Sequence, residues 1–216
     1  MPKSSAMWRE VAPGVLQWSR FSPERQVDLN GLFIVDETGN VAIDPPALDA
    51  MQLSEMRRQG GVAHVVLTNR DHARKAADLV EHMRARVHAH HADAPALPFP
   101  VHHTFTGGQV LPAGLVAIEI PGSKCPGECA FLLPRDGGTL ILGEAHIGLR
   151  SGRLSLLPDA GLGDPLLARE GLRLLLAHSY ERVLVSAGTC PPARAALETV
   201  LAHLPPPRRS APSASR

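Results

Sequence analysis

Three short polar runs hold the residue types able to do chemistry. Asp71 and His72 are adjacent in Thr68-Asn69-Arg70-Asp71-His72, with Arg74 just beyond. Lys124 and Glu128 lie in Pro121-Gly122-Ser123-Lys124-Cys125-Pro126-Gly127-Glu128, and Glu144 follows Gly143. A carboxylate beside an imidazole raises its basicity and fixes its tautomer, which makes His72 with Asp71 a candidate general base. Lys124 or Arg74 could bind an anionic substrate group or a developing oxyanion. Each has a plainer reading. Asp71 suits a helix N-cap, and Lys124 and Glu128 suit solvated loop charges.

Other clusters carry less. His88-Ala89-His90-His91-Ala92-Asp93 looks like a metal run, and on a strand His88 and His90 face the same side. His102-His103 sits in a proline-flanked loop, and His146 follows Glu144 by two residues. Cys125 and Cys129 are separated by Pro126-Gly127, which breaks any helix, and no second cysteine pair completes a zinc site. There is no P-loop and no serine nucleophile elbow.

Composition bounds the rest. The chain has 216 residues, 44% hydrophobic and 20% charged, which is globular rather than disordered. A formal net charge of +1 gives no reason to expect nucleic acid or an anionic membrane as partner. No apolar run reaches the roughly 18 residues of a membrane span, and the N-terminus lacks a signal-like apolar stretch. The 3 cysteines, Cys125, Cys129 and Cys190, do not form a disulfide framework. The expectation is a cytoplasmic protein with a small-molecule substrate. Its Ala-, Leu-, Arg- and Pro-rich composition is that of a high-GC bacterial genome.

Periodicity supplies the elements that must position these residues. Val11 to Phe21 alternates as a strand punctuated by Pro13-Gly14; Asn30 to Val35 and Val41 to Ile43 are further strands. Ala47 to Gly60 reads as a helix closed by Gly60-Gly61. His64 to Thr68 is a continuously apolar strand, Ala73 to Arg86 a helix, and Val87 to His91 a brief strand. Leu115 to Ile120, Ala130 to Leu133 and Thr139 to Leu142 are strands, and Gly143 to Pro158 is irregular. Pro165 to Ala177 is a helix, Arg182 to Val185 a strand, and Pro191 to His203 a final helix. Residues 1–204 read as one domain, and 205–216 as a disordered Pro/Ser/Arg tail. The order favours two sheets with helices outside, an α/β protein built as a four-layer αββα sandwich. The apolar Leu172 to Leu176 stretch serves either the core or a homodimer face.

This order and several loop sequences resemble the metallo-β-lactamase superfamily over Val11 to His203. The family's first acidic turn corresponds to Ala42-Ile43-Asp44. Its Thr-His-x-His-x-Asp-His signature corresponds to Thr68-Asn69-Arg70-Asp71-His72, its Pro-Gly-His loop to Pro121 to Gly127, its Gly-Asp to Gly143-Glu144, and its Gly-His-Gly end to Ser186-Ala187-Gly188. The resemblance implies an αββα sandwich, and it points to a divergent branch described as metal-dependent hydrolases. It also implies that the loops bearing Asp71, His72, Arg74, Lys124, Glu128 and Glu144 converge at one edge.

The departures change the implied chemistry. Without gaps from Thr68, the family's ligand positions fall on Asn69, Asp71, Ala73 and Arg74, then on Ser123 or Lys124, Glu144 and Ala187. Alanine binds no metal, and a cation such as Arg74 repels one. With a loop two residues shorter, Asp71 and His72 take the place of the family's Asp-His pair, and Asp71, His72 and Glu144 form a three-ligand set for one divalent metal. Both registers stay open, as does a metal-free pocket of His72, Asp71, Lys124 and Glu128, or Cys125 as a nucleophile bordering it. The function implied is hydrolysis of an ester, thioester, lactone or related bond, using one divalent ion (zinc, manganese or iron) or none. The alternative is a non-catalytic ligand-binding or subunit protein on the same scaffold.

Overall fold

A computed structural model describes residues 8–144, 146–148, 154–189 and 194–203. The expected tail and Cys190 lie outside the described residues, as does the His146 side chain. One sheet runs in chain order through β1 (Arg9–Ala12), β2 (Val15–Ser22), β3 (Val27–Ile34), β4 (Val41–Ile43), β5 (His64–Val66), β6 (Arg86–His90) and β7 (His103–Phe105). The second uses β8 (Val116–Glu119), β9 (Cys129–Leu133), β10 (Thr139–Leu142) and β13 (Arg182–Val185), in the order β13-β10-β9-β8. A small ribbon pairs β11 (His146–Gly148) with β12 (Leu154–Leu156).

The layers follow from which faces are apolar. Between the sheets lie Ile34, Ile43 and Val66 from one side and Phe131, Leu133 and Ile141 from the other. Helices α1 (Ala50–Arg58) and α2 (Ala76–Met83) place Met56 and Leu79 on the outer face of the first sheet, over Phe33 and Val65. Helices α3 (Pro165–Leu174) and α4 (Arg194–Ala202) place Leu172, Leu197 and Leu201 on the outer face of the second, over Leu140 and Val183. This is the four-layer αββα sandwich. Within the Leu172–Leu176 stretch, Leu172 and Leu175 enter the core while Leu174 faces out.

Local chemistry explains the boundaries. Asp49 and Gln52 form a capping box at the start of α1. Asp164 caps α3, with Pro165 in its first turn. The helix expected over 73–86 is shorter. A 3-10 turn spans Arg70–His72, Arg74 adopts φ 38°, and α2 stops at Arg84 in the left-handed region. Asn69, not Asp71, caps the 3-10 turn, accepting the His72 N–H, so the capping reading of Asp71 is corrected. The strand expected over 11–21 is a hairpin of β1 and β2 turning at Pro13-Gly14. Strand β7 and the β11–β12 ribbon carry too few alternating residues to stand out in the sequence. No described helix is long and apolar enough to cross a membrane.

Strands β4, β5 and β6 run parallel, as do β10 and β13. Their carboxyl ends deliver Asp44, Thr68 to His72, Gly143-Glu144 and Ser186 to one pole, the place where α/β sheets gather ligands.

Candidate functional site

The floor of this pole is built on Asp44. Its carboxylate accepts the Thr68 N–H at 2.9 Å, the Thr68 hydroxyl at 2.6 Å and the Ser186 hydroxyl at 2.6 Å, and lies 2.8 Å from His72 Nδ1. Asp44 and His72 are both buried. Burial alone would raise the carboxyl pKa, but His72, Arg74 and Ser186 outweigh it and hold Asp44 below the usual carboxylate range. A positive φ of 47° at Asp44 turns the chain there.

Arg74 fastens the two sheets across this floor. Its guanidinium donates to the carbonyls of Asn30 and Asp44 at 2.8 and 2.9 Å and to that of Ser186 at 3.0 Å. One planar fork thereby ties β3, the end of β4 and the end of β13. Asn30 completes the seam by donating to the carbonyls of Val185 and Gly188.

A second buried layer sets the Pro121–Glu128 loop. Asn69 donates to Glu128 at 2.7 Å. Asp93 accepts the N–H groups of Arg70 at 2.9 Å and Gly127 at 3.1 Å, locking the two loops together. Gly143 must be glycine: a Cβ there would lie 2.4 Å from Glu128 Oε1 and 2.8 Å from Thr68 Oγ1.

Above these layers the pole opens. Asp71, Cys125 and Glu144 converge, with ligand atoms all within 4.8 Å of one another, and they are the one such set of three among the described residues. Lys124 forms an ion pair with Asp71, and its ammonium lies 3.9 Å from Glu144 Oε2. Arg25, in the turn between β2 and β3, donates to Glu144 Oε1 at 3.0 Å. Among the described residues, Glu144 Oε2 is buried without a hydrogen-bond partner. The hydrogen bond that Lys124 donates to Asp71 raises the Lys124 pKa. Burial would raise that of Asp71, but Lys124, Cys125 and Arg70 lower it. Burial and the nearby Asp71 push the Cys125 thiol up to about 12, so without a metal it is a thiol rather than a nucleophilic thiolate.

Of the residues singled out in the sequence, Asp71, Lys124 and Glu144 are brought together. His72 is not in the converging set; its ring turns down onto Asp44, because the 3-10 turn points Asp71 and His72 in different directions. Glu128 lies below, against Asn69. Cys125 stands beside Asp71 and Glu144. Arg25 has no sequence signal, Asp93 stands out only as the end of the His88–Asp93 run, and Ser186 only within Ser186-Ala187-Gly188; Arg25 and Glu144 are 119 residues apart and meet only through the fold.

The family model of the metallo-β-lactamase superfamily matches residues 7–190. The chain belongs to the metallo-β-lactamase superfamily. No curated protein matches it. Among solved structures, it is similar to a HARLDQ-motif mutant of a metallo-β-lactamase from Cronobacter sakazakii, in which an arginine, a glutamine and a lysine are changed to histidine. That match has 22% identity and a TM-score of 0.61, over 84% of this chain and 80% of the other. It is also similar to TTHA1623 in a di-iron-bound form, at 24% identity and TM-score 0.65, over 84% and 96% of the two chains. A third is the metallo-β-lactamase FIM-1 from Pseudomonas aeruginosa in a mono-zinc form, at 15% identity and TM-score 0.68, over 88% and 91%. These likenesses bear on the fold.

Proposed function

We propose that this chain is a divergent hydrolase that cleaves an ester, thioester, lactone or related bond in a small molecule, with a site for one divalent metal held by Asp71, Cys125 and Glu144. The observation that carries this reading is the convergence of those three donors within 4.8 Å at the open pole. Glu144 Oε2, buried and without a hydrogen-bond partner among the described residues, is an atom that a bound cation would satisfy. Two carboxylates and a thiolate fit one zinc or iron ion, and suit manganese less because it prefers all-oxygen ligands. They do not fit two: Ala73 and Ala187 have no donor atom, and Arg74 is a cation spent on three carbonyls. The mono-zinc form of FIM-1 gives precedent for one ion on this scaffold.

When bound, the ion supplies Lewis acidity and acidifies a water. The protein's own groups do the rest. The Lys124 side chain, half exposed, holds Asp71 in the absence of another cation. Released toward solvent, its ammonium can bind an anionic substrate group or an oxyanion. Arg25 holds Glu144 in place from the opposite side. The buried Asp44–His72–Thr68 cluster and Arg74 keep the loops in register and take no part at the reacting bond.

One observation favours the non-catalytic alternative: the carboxylates of the pole already have protein cations, Lys124 on Asp71 and Arg25 on Glu144. Elemental analysis of tag-free protein, with a panel of esters, thioesters and lactones, separates the two. About one equivalent of metal and hydrolysis that Glu144→Gln abolishes support the enzyme. Absence of both metal and turnover, including after added zinc, manganese or iron, supports the scaffold protein.

A further inference from the structure

A second group of side chains of a type able to ligate a metal lies across β5, β6 and β7 of the first sheet. His88 lies directly across from Val66 on β5 and from His103 on β7. Directly paired residues share a face, and His64 is two residues before Val66, so His64, His88 and His103 all project from the side that faces the other sheet. His64 begins β5, whereas Thr68 and Asp71 follow its end. Four residues of strand put roughly 13 Å between the His64 backbone and that of Thr68.

The imidazoles meet. His64 Nδ1 lies 3.0 Å from His88 Nε2. The His103 ring stacks on His88 with 4.8 Å between centroids. His88 is buried, and a cleft of about 400 Å³ opens beside it between β6, β7 and the 109–112 segment. This face of the sheet is otherwise core, lined by Val41, Ile43 and Val66. Histidines clustered there need a reason, because leucine or valine would fill the same positions without a polar atom.

We propose that His64 and His88, joined by His103, form a binding site for one divalent transition-metal ion, separate from the Asp71 pole. Two imidazole nitrogens on one tetrahedral ion with bonds near 2.0–2.1 Å stand about 3.3 Å apart, close to the separation seen between His64 and His88. His103 is exposed, so its ring can turn from the stacked position to add a third nitrogen, and water entering the cleft completes the shell. Burial first, then the neighbouring His64, His103, His102 and Arg86, push the His88 pKa down to about 4, which keeps this ring neutral, the form that ligates. Arg86 is exposed and opposes a cation only weakly, since water screens its charge. An all-imidazole set takes copper, nickel or zinc, with copper bound most tightly.

The test is equilibrium dialysis of tag-free protein with copper or zinc at neutral pH. It is done in the Cys125→Ser/Glu144→Gln background, so that the Asp71 pole contributes nothing. The expected result is about one ion per chain, with affinity falling about tenfold or more in His64→Gln and also in His103→Gln. Both positions are partly or fully exposed, so both variants should fold, and circular dichroism checks this. No binding in the background protein, or binding unchanged by His64→Gln, would overturn the proposal, leaving the 3.0 Å contact as a hydrogen bond between two neutral rings. Because the background lacks the pole's ligands, failure here leaves the hydrolase reading untouched.

Discussion

The Lys124 ammonium is ion-paired with the Asp71 carboxylate at the open pole of the sandwich. It also lies 3.9 Å from Glu144 Oε2, an oxygen with no hydrogen-bond donor among the described residues. A lysine placed between two carboxylates does electrostatically what a bound cation would do, and the two must compete for the same oxygens.

Replacing Lys124 with Met should therefore tighten metal binding at the pole. Removing a competing charge on a half-exposed group is worth about a factor of ten, given the modest energies of such pairs. Competition titration with a chromogenic chelator measures it. Weaker binding in Lys124→Met would mean that the lysine assists the ion rather than displaces it.

Arg74 should matter for stability more than any other charged residue of the pole. Its loss strands three carbonyls, on Asn30, Asp44 and Ser186, at the seam between the sheets. Arg74→Ala is expected to cost about 3 kcal/mol in urea denaturation. Arg74→Lys should recover little of this, since an ammonium cannot reproduce the planar fork. A loss below about 1 kcal/mol would show that the seam holds without it.

Gly143 gives a steric prediction. A methyl at this position meets Glu128 Oε1 at 2.4 Å and the Thr68 hydroxyl at 2.8 Å, neither of which is the free end of an exposed chain. Gly143→Ala should destabilise the fold by about 1–3 kcal/mol. Thermal denaturation reads this directly, and an unchanged midpoint would contradict the packing described.

The buried Asp44 sets an acid limit. Its pKa is lowered in the folded protein, because His72, Arg74 and Ser186 outweigh the effect of burial. The folded state thus binds fewer protons at this site than the unfolded chain does. The resulting stability is fully present above the unfolded value of 3.8 and is lost as pH falls through the folded value. Unfolding free energy measured from pH 6 down to pH 2 should fall steeply below about pH 4. In Asp44→Asn that portion of the slope should disappear, on top of a lower overall stability.

Much of the fold is legible in the sequence because its strands are short, apolar and bounded by turn residues. Strands β4, β10 and β13 have the ends expected from Val41–Ile43, Thr139–Leu142 and Arg182–Val185. The helix after Thr68 was harder, because nothing in Arg70 to Lys75 announces the positive φ at Arg74 that splits it. That break matters for the site. In a continuous helix Asp71 would cap and His72 would follow it around the axis; in the 3-10 turn Asp71 looks out to Lys124 while His72 drops onto Asp44. The three loops that meet at the pole followed from the resemblance, whereas Arg25 on Glu144 depends on a hairpin turn whose reach no local pattern encodes. The His64–His88–His103 group was hidden because its members belong to three strands, and one of those strands, β7, was itself missed.

In the proposed metal site Cys125 joins Asp71 and Glu144 around one ion. Cobalt(II) reports on this directly, since a thiolate bound to it gives a near-ultraviolet charge-transfer band that imidazole and carboxylate ligands do not. That band is expected at about one equivalent of cobalt, together with its loss in Cys125→Ser and retention in His64→Gln. Cobalt binding without the band in the wild-type protein, or a band that survives Cys125→Ser, would contradict it.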